Sequence, residues 1–199
     1  MIEKNKKSYN NIANEWNSFR NNTKLHKYVI EFEKHLKSNA YILDLGCGTG
    51  YPNMTYLNEQ GHFVHGIDMS EEMISYAIDL KLANTSFELI NFLDFNHDKK
   101  FDGILAFDSL FHLSIDKHEE AFKKVSKLIN KDGYFMFTHG KKEGTVEGTM
   151  YGEPFYYSTL DSDRMINILI EEEFEIITEL IDYRDEFGHR ELIVIARKR

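Results

Sequence analysis

The residues best placed to do chemistry form the run LDLGCGTG, Leu43 to Gly50. Glycine at 46, 48 and 50 lets the backbone turn tightly and approach a ligand with no Cβ in the way. A helix starting just after the run would aim free amide N–H groups and its positive dipole end at an anionic group, and Pro52 is tolerated in such a first turn. The spacing is GxGxG, and Tyr51 occupies the position that a dinucleotide-binding loop fills with glycine or alanine, which weakens an NAD reading. Asp68, in GIDMS, stands eighteen residues after Gly50. A carboxylate at a strand tip beside a glycine loop can accept two hydrogen bonds from ribose hydroxyls. Met69 offers a polarizable face to an adenine ring. Asp94, in NFLDF, is positioned to accept from an exocyclic amine. Together these residues spell an adenosine site.

Two histidines follow strand-like runs and suit proton transfer near neutral pH: His112 in SLFHL and His139 in FTHGK. His112 is the first candidate for a general base and His139 the second; a core or solvent role is the alternative for each. Asp108 can face the site or serve as a turn residue.

These residues need a scaffold that brings strand ends together. YILDL (41–45), FVHGID (63–68), SFELI (86–90), FDGILAF (101–107) and YFMFT (134–138) are short apolar runs of strand length. They alternate with helix-periodic segments, for example Ala121, Phe122, Val125, Leu128 and Ile129. Ser70 before Glu71 and Glu72 is a helix cap followed by carboxylates. Asp116 with Glu119 has capping-box spacing, and Lys131, Asp132 and Gly133 are expected to close that helix. The pattern predicts an α/β domain with a mostly parallel sheet and helices on both faces. FEIITELID (174–182) and HRELIVIAR (189–197) are joined only by YRDEFG, too short for a parallel crossover, so they predict a C-terminal antiparallel hairpin. Before the first strand, Ile12, Trp16 and Phe19, then Leu25, Tyr28, Val29, Phe32 and Leu36, predict two helices broken at Asn21 and Asn22.

The glycine loop, Asp68, Asp94, the FDGILAFDSLFHL run and the terminal hairpin together resemble the class I S-adenosylmethionine-dependent methyltransferases, over about residues 9–197. The resemblance implies a Rossmann-like seven-stranded sheet of order 3-2-1-4-5-7-6 in one domain spanning 1–199. It implies S-adenosylmethionine as cofactor, held across Asp44, Gly46, Cys47, Gly48, Asp68, Met69, Asp94, Phe95 and the segment Phe107, Asp108 and Ser109. Residues 1–38 become a helical lid in which Tyr9, Trp16 and Arg20 lie over the cofactor, with plain packing as the alternative for Trp16. Residues 139–160 become a substrate loop, similar to that of small bacterial enzymes acting on small molecules. Its Tyr151, Phe155, Tyr156 and Tyr157 can wall a pocket or cover the sheet. FDSL stands where enzymes that methylate adenine or glutamine nitrogens carry Asn-Pro-Pro-Tyr.

The implied reaction is in-line methyl transfer to a nitrogen, oxygen or sulfur of a small molecule. The alternatives are a cofactor-binding module without transfer and a protein or RNA methyltransferase. The chain has 24 Lys plus Arg against 33 Asp plus Glu, a net charge of −9, which argues against a nucleic-acid backbone as partner. A single cysteine, Cys47, points to a reduced, cytoplasmic setting. No run approaches a membrane span, no metal site is expected, and a monomer or homodimer is the expected state. EEEFE (171–175) reads as a solvated helix end and RKR (197–199) as a short basic tail.

Overall fold

The computed structural model describes residues 2–184 and 190–199. Seven strands form one sheet: β1 (Tyr41–Leu45), β2 (Phe63–Asp68), β3 (Thr85–Leu89), β4 (Phe101–Ala106), β5 (Ile129–His139), β8 (Phe174–Arg184) and β9 (Arg190–Lys198). Their spatial order is β3-β2-β1-β4-β5-β9-β8. Pairing is parallel from β3 through β5, and β9 runs antiparallel to both β5 and β8. This is the sheet expected from the sequence; the strand numbers differ because an extra hairpin precedes the terminal pair. Residues 185–189, four of the expected YRDEFG turn and the first of the expected strand 189–197, lie outside the described residues.

Side-chain alternation divides the apolar residues of the sheet between two cores. Leu43, Ile104, Phe135, Phe137 and Val194 join one apolar cluster, with α5 (His118–Leu128) and α6 (Ser162–Glu171). Ile42, Leu105, Met136, Ile193 and Ile195 join the other, with α2 (Lys27–Lys34) and α3 (Asn53–Glu59). Neighbouring residues on one strand therefore serve opposite faces, as the period of two requires. Helices α1 (Ile2–Arg20) and α4 (Glu71–Asp79) complete the set. Ser70 caps α4, its hydroxyl accepting from Met73 N–H at 3.2 Å.

Several local expectations shift. Helix α5 ends at Leu128 and β5 begins at once, so Lys131, Asp132 and Gly133 lie inside the strand, at an irregularity that Asp132 meets with φ 64°. Asp116 sits in a 3-10 turn, Ile115–Lys117, and α5 carries no side-chain cap. The segment expected as a loop, 139–160, contains a two-stranded sheet, β6 (Gly144–Met150) against β7 (Glu153–Thr159). The terminal basic residues are tied down: Arg197 pairs with Asp132 and Lys198 with Glu173.

Candidate functional site

A cavity opens at the carboxyl ends of β1, β2, β3 and β4, with residues of α1 forming part of its wall. The glycine run leaves β1 and anchors on β2, where the N–H groups of Gly46 and Cys47 both donate to the Ile67 carbonyl, at 2.9 and 3.0 Å. Gly46 has φ +72°, and a Cβ built there would lie 2.5 Å from the Ser109 Cβ. Only glycine fits both the backbone angle and the close approach.

Asp68 ties the loop to the helix after it. One carboxylate oxygen accepts from Gly48 N–H at 2.9 Å and the other from Ser70 N–H at 2.9 Å. A carboxylate oxygen can accept twice, so Asp68 retains capacity on each oxygen toward the cavity it lines. Burial raises its pKa while the N–H groups of Ser70, Gly48 and Met69 pull it back. Asp44 is 3% exposed, and burial pushes its carboxyl up to about 7, with Arg20 opposing and Asp68 adding to the shift. Burial also holds the Cys47 thiol well above its usual range, reinforced by Asp68 and Asp44. Asp108 adopts φ 55°, held by Thr138, whose hydroxyl accepts from its N–H at 2.8 Å and donates to its carboxylate at 3.0 Å. Asp44, Asp68 and Asp108 therefore give the cavity wall an acidic character, opposed by Arg20 and by Lys6, which pairs with Glu71.

Helix α1 is fastened on both sides. Asn10 accepts from the Ser70 hydroxyl at 2.5 Å and donates to Glu71 at 2.7 Å, and Lys6 pairs with Glu71 at 2.7 Å. On the opposite side Ser8 donates to the Pro154 carbonyl of β7 at 2.6 Å. Trp16 lies over the loop, its Nε1 3.8 Å from where a Gly48 Cβ would be. Arg20 donates to the Tyr51 carbonyl at 3.2 Å.

The sequence-derived candidates thus separate. Tyr9, Trp16, Arg20, Asp44, Gly46, Cys47, Gly48, Asp68, Met69, Phe107, Asp108, Ser109 and His112 all border the cavity. Asp94 is exposed and Phe95 is fully buried against His65 and Phe101, and neither borders it. The chain leaves β3 at Leu89 and turns on Asn91, whose carbonyl accepts from Asp94 N–H at 2.9 Å and Phe95 N–H at 3.1 Å. Asn91 and Phe92 line the cavity instead.

His139 also lies elsewhere. It is fully buried, with Nδ1 2.8 Å from the Gly140 carbonyl and Nε2 3.3 Å from His118 Nδ1. Although His139 ends a strand, its ring turns inward, toward α5, which is the core alternative to a base role. His112 borders the cavity, but protein groups engage both ring nitrogens. Asn5 and the Tyr156 carbonyl meet Nδ1, and Tyr9 Oη meets Nε2 at 2.8 Å. Burial lowers its pKa to about 4, so it is neutral at pH 7 and its lone pair is not directed at the cavity.

Two polar atoms at the cavity were not anticipated as a pair. Thr49 Oγ1 and Ser109 Oγ are buried with no hydrogen-bond partner among the described residues. Buried hydroxyls are normally satisfied, and these two mark where a ligand can supply partners. Thr49 was legible as part of the glycine run; Asn91 was legible as the residue just past a strand end. Asn5 carried no local signal.

Comparison with known proteins agrees with this geometry. A methyltransferase domain family matches residues 36–183. A methyltransferase-named protein of Bacillus subtilis is 30% identical over 135 residues, covering 65% of this chain and 54% of that protein. The phosphoethanolamine N-methyltransferase of Plasmodium falciparum is 31% identical over 107 residues, covering 52% of this chain and 40% of its own. The chain thus spans about half the length of the curated relatives it matches. Among solved structures, the Burkholderia thailandensis 1,6-didemethyltoxoflavin-N1-methyltransferase, with bound 1,6-didemethyltoxoflavin and S-adenosylhomocysteine, superposes with a TM-score of 0.76 at 20% identity. That match covers 97% of this chain and 86% of the other. Sheet order, glycine loop and family match converge: the chain belongs to the methyltransferase domain family.

Proposed function

We propose that this chain is an S-adenosylmethionine-dependent methyltransferase that moves a methyl group to a nitrogen, oxygen or sulfur atom of a small molecule. The observation that carries the reading is the joint arrangement of Gly46 and Asp68. A backbone turn open to close approach stands beside a carboxylate that already orders the loop and still has accepting capacity. The unpartnered Thr49 and Ser109 hydroxyls fit a polar ligand in the same place. Bound there, S-adenosylmethionine supplies a methyl group on a positively charged sulfur.

The residues of this chain then have distinct tasks. Asp68 accepts from ribose hydroxyls, and Asn91 and Phe92 take the adenine side that Asp94 and Phe95 were expected to serve. Asp44 and Asp108 make the cavity favourable to a cation, and Arg20 is available for a carboxylate. Helix α1 excludes water and holds the reacting groups in line, which is the main demand of a one-step displacement. His112, neutral and doubly hydrogen-bonded, orients rather than deprotonates.

The small-molecule assignment is supported by relatives named for small acceptors, the phosphoethanolamine and 1,6-didemethyltoxoflavin enzymes, and by the net charge of −9, unfavourable to nucleic acid. No helix among the described residues is long and apolar enough to cross a membrane. The test is transfer of labelled methyl groups from S-adenosylmethionine to a panel of small amines, phenols and thiols. Label on one class supports the assignment. Cofactor binding with no transfer to any acceptor would favour a non-transferring binding module, and transfer only to protein or RNA would contradict the small-molecule assignment.

A further inference from the structure

One buried polar network reaches the cavity from outside the carboxylate cluster. Asn5, on α1, is 3% exposed. Its Oδ1 accepts from the Tyr156 backbone N–H at 2.8 Å, and its Nδ2 donates to the Tyr156 carbonyl at 2.8 Å. These two bonds to β7 fix the amide in one orientation, because the reverse would set N–H against N–H and oxygen against oxygen. The second Nδ2 hydrogen remains, and 2.9 Å in front of that nitrogen lies His112 Nδ1.

A neutral imidazole carries its proton on one nitrogen. With an Asn5 N–H aimed at Nδ1, the lone pair belongs there and the proton on Nε2, which lies 2.8 Å from Tyr9 Oη. The opposite tautomer would direct Nδ1–H to the Tyr156 carbonyl, 3.1 Å away. That carbonyl can accept twice, but the change would set an Asn5 N–H and the Nδ1–H together, with the two nitrogens 2.9 Å apart in a buried place.

We infer that Asn5 is a positioning residue that fixes His112 as the Nε2–H tautomer and thereby makes Tyr9 a hydrogen-bond donor toward the ligand in the cavity. Tyr9 Oη accepts from His112, so its own hydrogen turns elsewhere, and the residue borders the cavity. Burial, with Tyr157, Asp68 and Asp108 nearby, keeps the phenol protonated. The group it meets is therefore one with a free lone pair, such as a carboxylate, carbonyl or hydroxyl oxygen. Identifying that group with S-adenosylmethionine or its product rests on the function proposed above; the tautomer does not.

The test combines the imidazole signature with binding of S-adenosylhomocysteine. Long-range proton–nitrogen correlation spectra of the nitrogen-15-labelled chain, with His112 assigned by its absence in His112→Gln, should show the Nε2–H form; the Nδ1–H form would overturn the inference. Asn5→Asp keeps the size and the Tyr156 N–H bond but replaces the donor by an acceptor. His112 should then switch to Nδ1–H, drawing the Tyr9 hydrogen back to Nε2. Calorimetric affinity for S-adenosylhomocysteine should fall about tenfold in Asn5→Asp and about tenfold in Tyr9→Phe. The double variant should be no weaker than Tyr9→Phe alone, whereas multiplying losses would overturn the route through Tyr9. Absence of any binding by the unaltered chain, with the Nε2–H form observed, would remove the cofactor reading and leave the tautomer assignment intact.

Discussion

Asp68 and Asp44 divide the electrostatic work of the cavity between them. Asp68 remains tied to two backbone N–H groups, so Asp68→Ala removes both the loop anchor and the ribose acceptor. Its expected effect is a loss of S-adenosylhomocysteine affinity of about 1.5–3 kcal/mol, read by calorimetry; unchanged affinity would refute the ribose role. Asp44, with a pKa near 7, is partly protonated at neutral pH. A cationic ligand favours its ionised form, so binding releases a proton and affinity rises with pH until Asp44 is fully ionised. S-adenosylmethionine affinity should therefore increase from pH 6 to 8, and S-adenosylhomocysteine, without the sulfonium charge, should show a weaker trend. Gly46→Ala meets both a positive φ and the Ser109 Cβ. The expected result is lost ligand binding and a stability decrease of at least about 1 kcal/mol. Adding Ser109→Gly should restore part of the stability, since it removes the colliding atom but not the φ penalty.

At the scale of elements, α1 is held less by apolar packing than by polar ties. Its buried residues are Asn5, Ser8, Ile12 and Ala13, only two of them apolar. Its attachments run through Asn10, Lys6 and Ser8 to α4 and β7. Few buried apolar contacts mean a low free energy of local opening. Amide exchange should be faster in α1 than in β1, β4 or β5, and S-adenosylhomocysteine should slow it in α1 most; uniform protection would contradict a lid. The strands and the Ser70 cap were legible because period, capping chemistry and strand length are local properties. The β6 and β7 hairpin was not. GTVEGTM lacks apolar alternation, and its turn places Tyr151 at φ 50° before Gly152 at φ 84°, where asparagine or aspartate is the usual signal. The shift from Asp94 to Asn91 has a similar origin: a turn that begins right at the strand end decides which side chain faces the ligand. Pairing of Asn5 with Tyr156 spans 151 positions and leaves no trace in any local pattern.

For the whole molecule, histidine burial sets the pH response. His65, His112, His118 and His139 are each lowered to about 4, mainly by burial. Between pH 4 and about 6.5 the unfolded chain binds more protons at these sites, so their contribution is present above that range and lost as pH falls through it. Asp44, raised to about 7, and Asp68, also raised by burial, act in the opposite sense, but four sites outweigh two. The melting temperature should drop as pH is lowered from 7 to 5, and replacing His118 by Gln should flatten that drop; a melting temperature constant across the range would contradict burial as the cause. The net charge of −9, at first only an argument against nucleic acid, now includes three carboxylates gathered at one cavity, Asp44, Asp68 and Asp108. The ligand of that cavity is tested most directly by calorimetric titration with S-adenosylhomocysteine beside NADH. One-to-one binding of S-adenosylhomocysteine, abolished in Gly46→Ala, with no heat from NADH, is expected. Tight NADH binding with none of S-adenosylhomocysteine would contradict it.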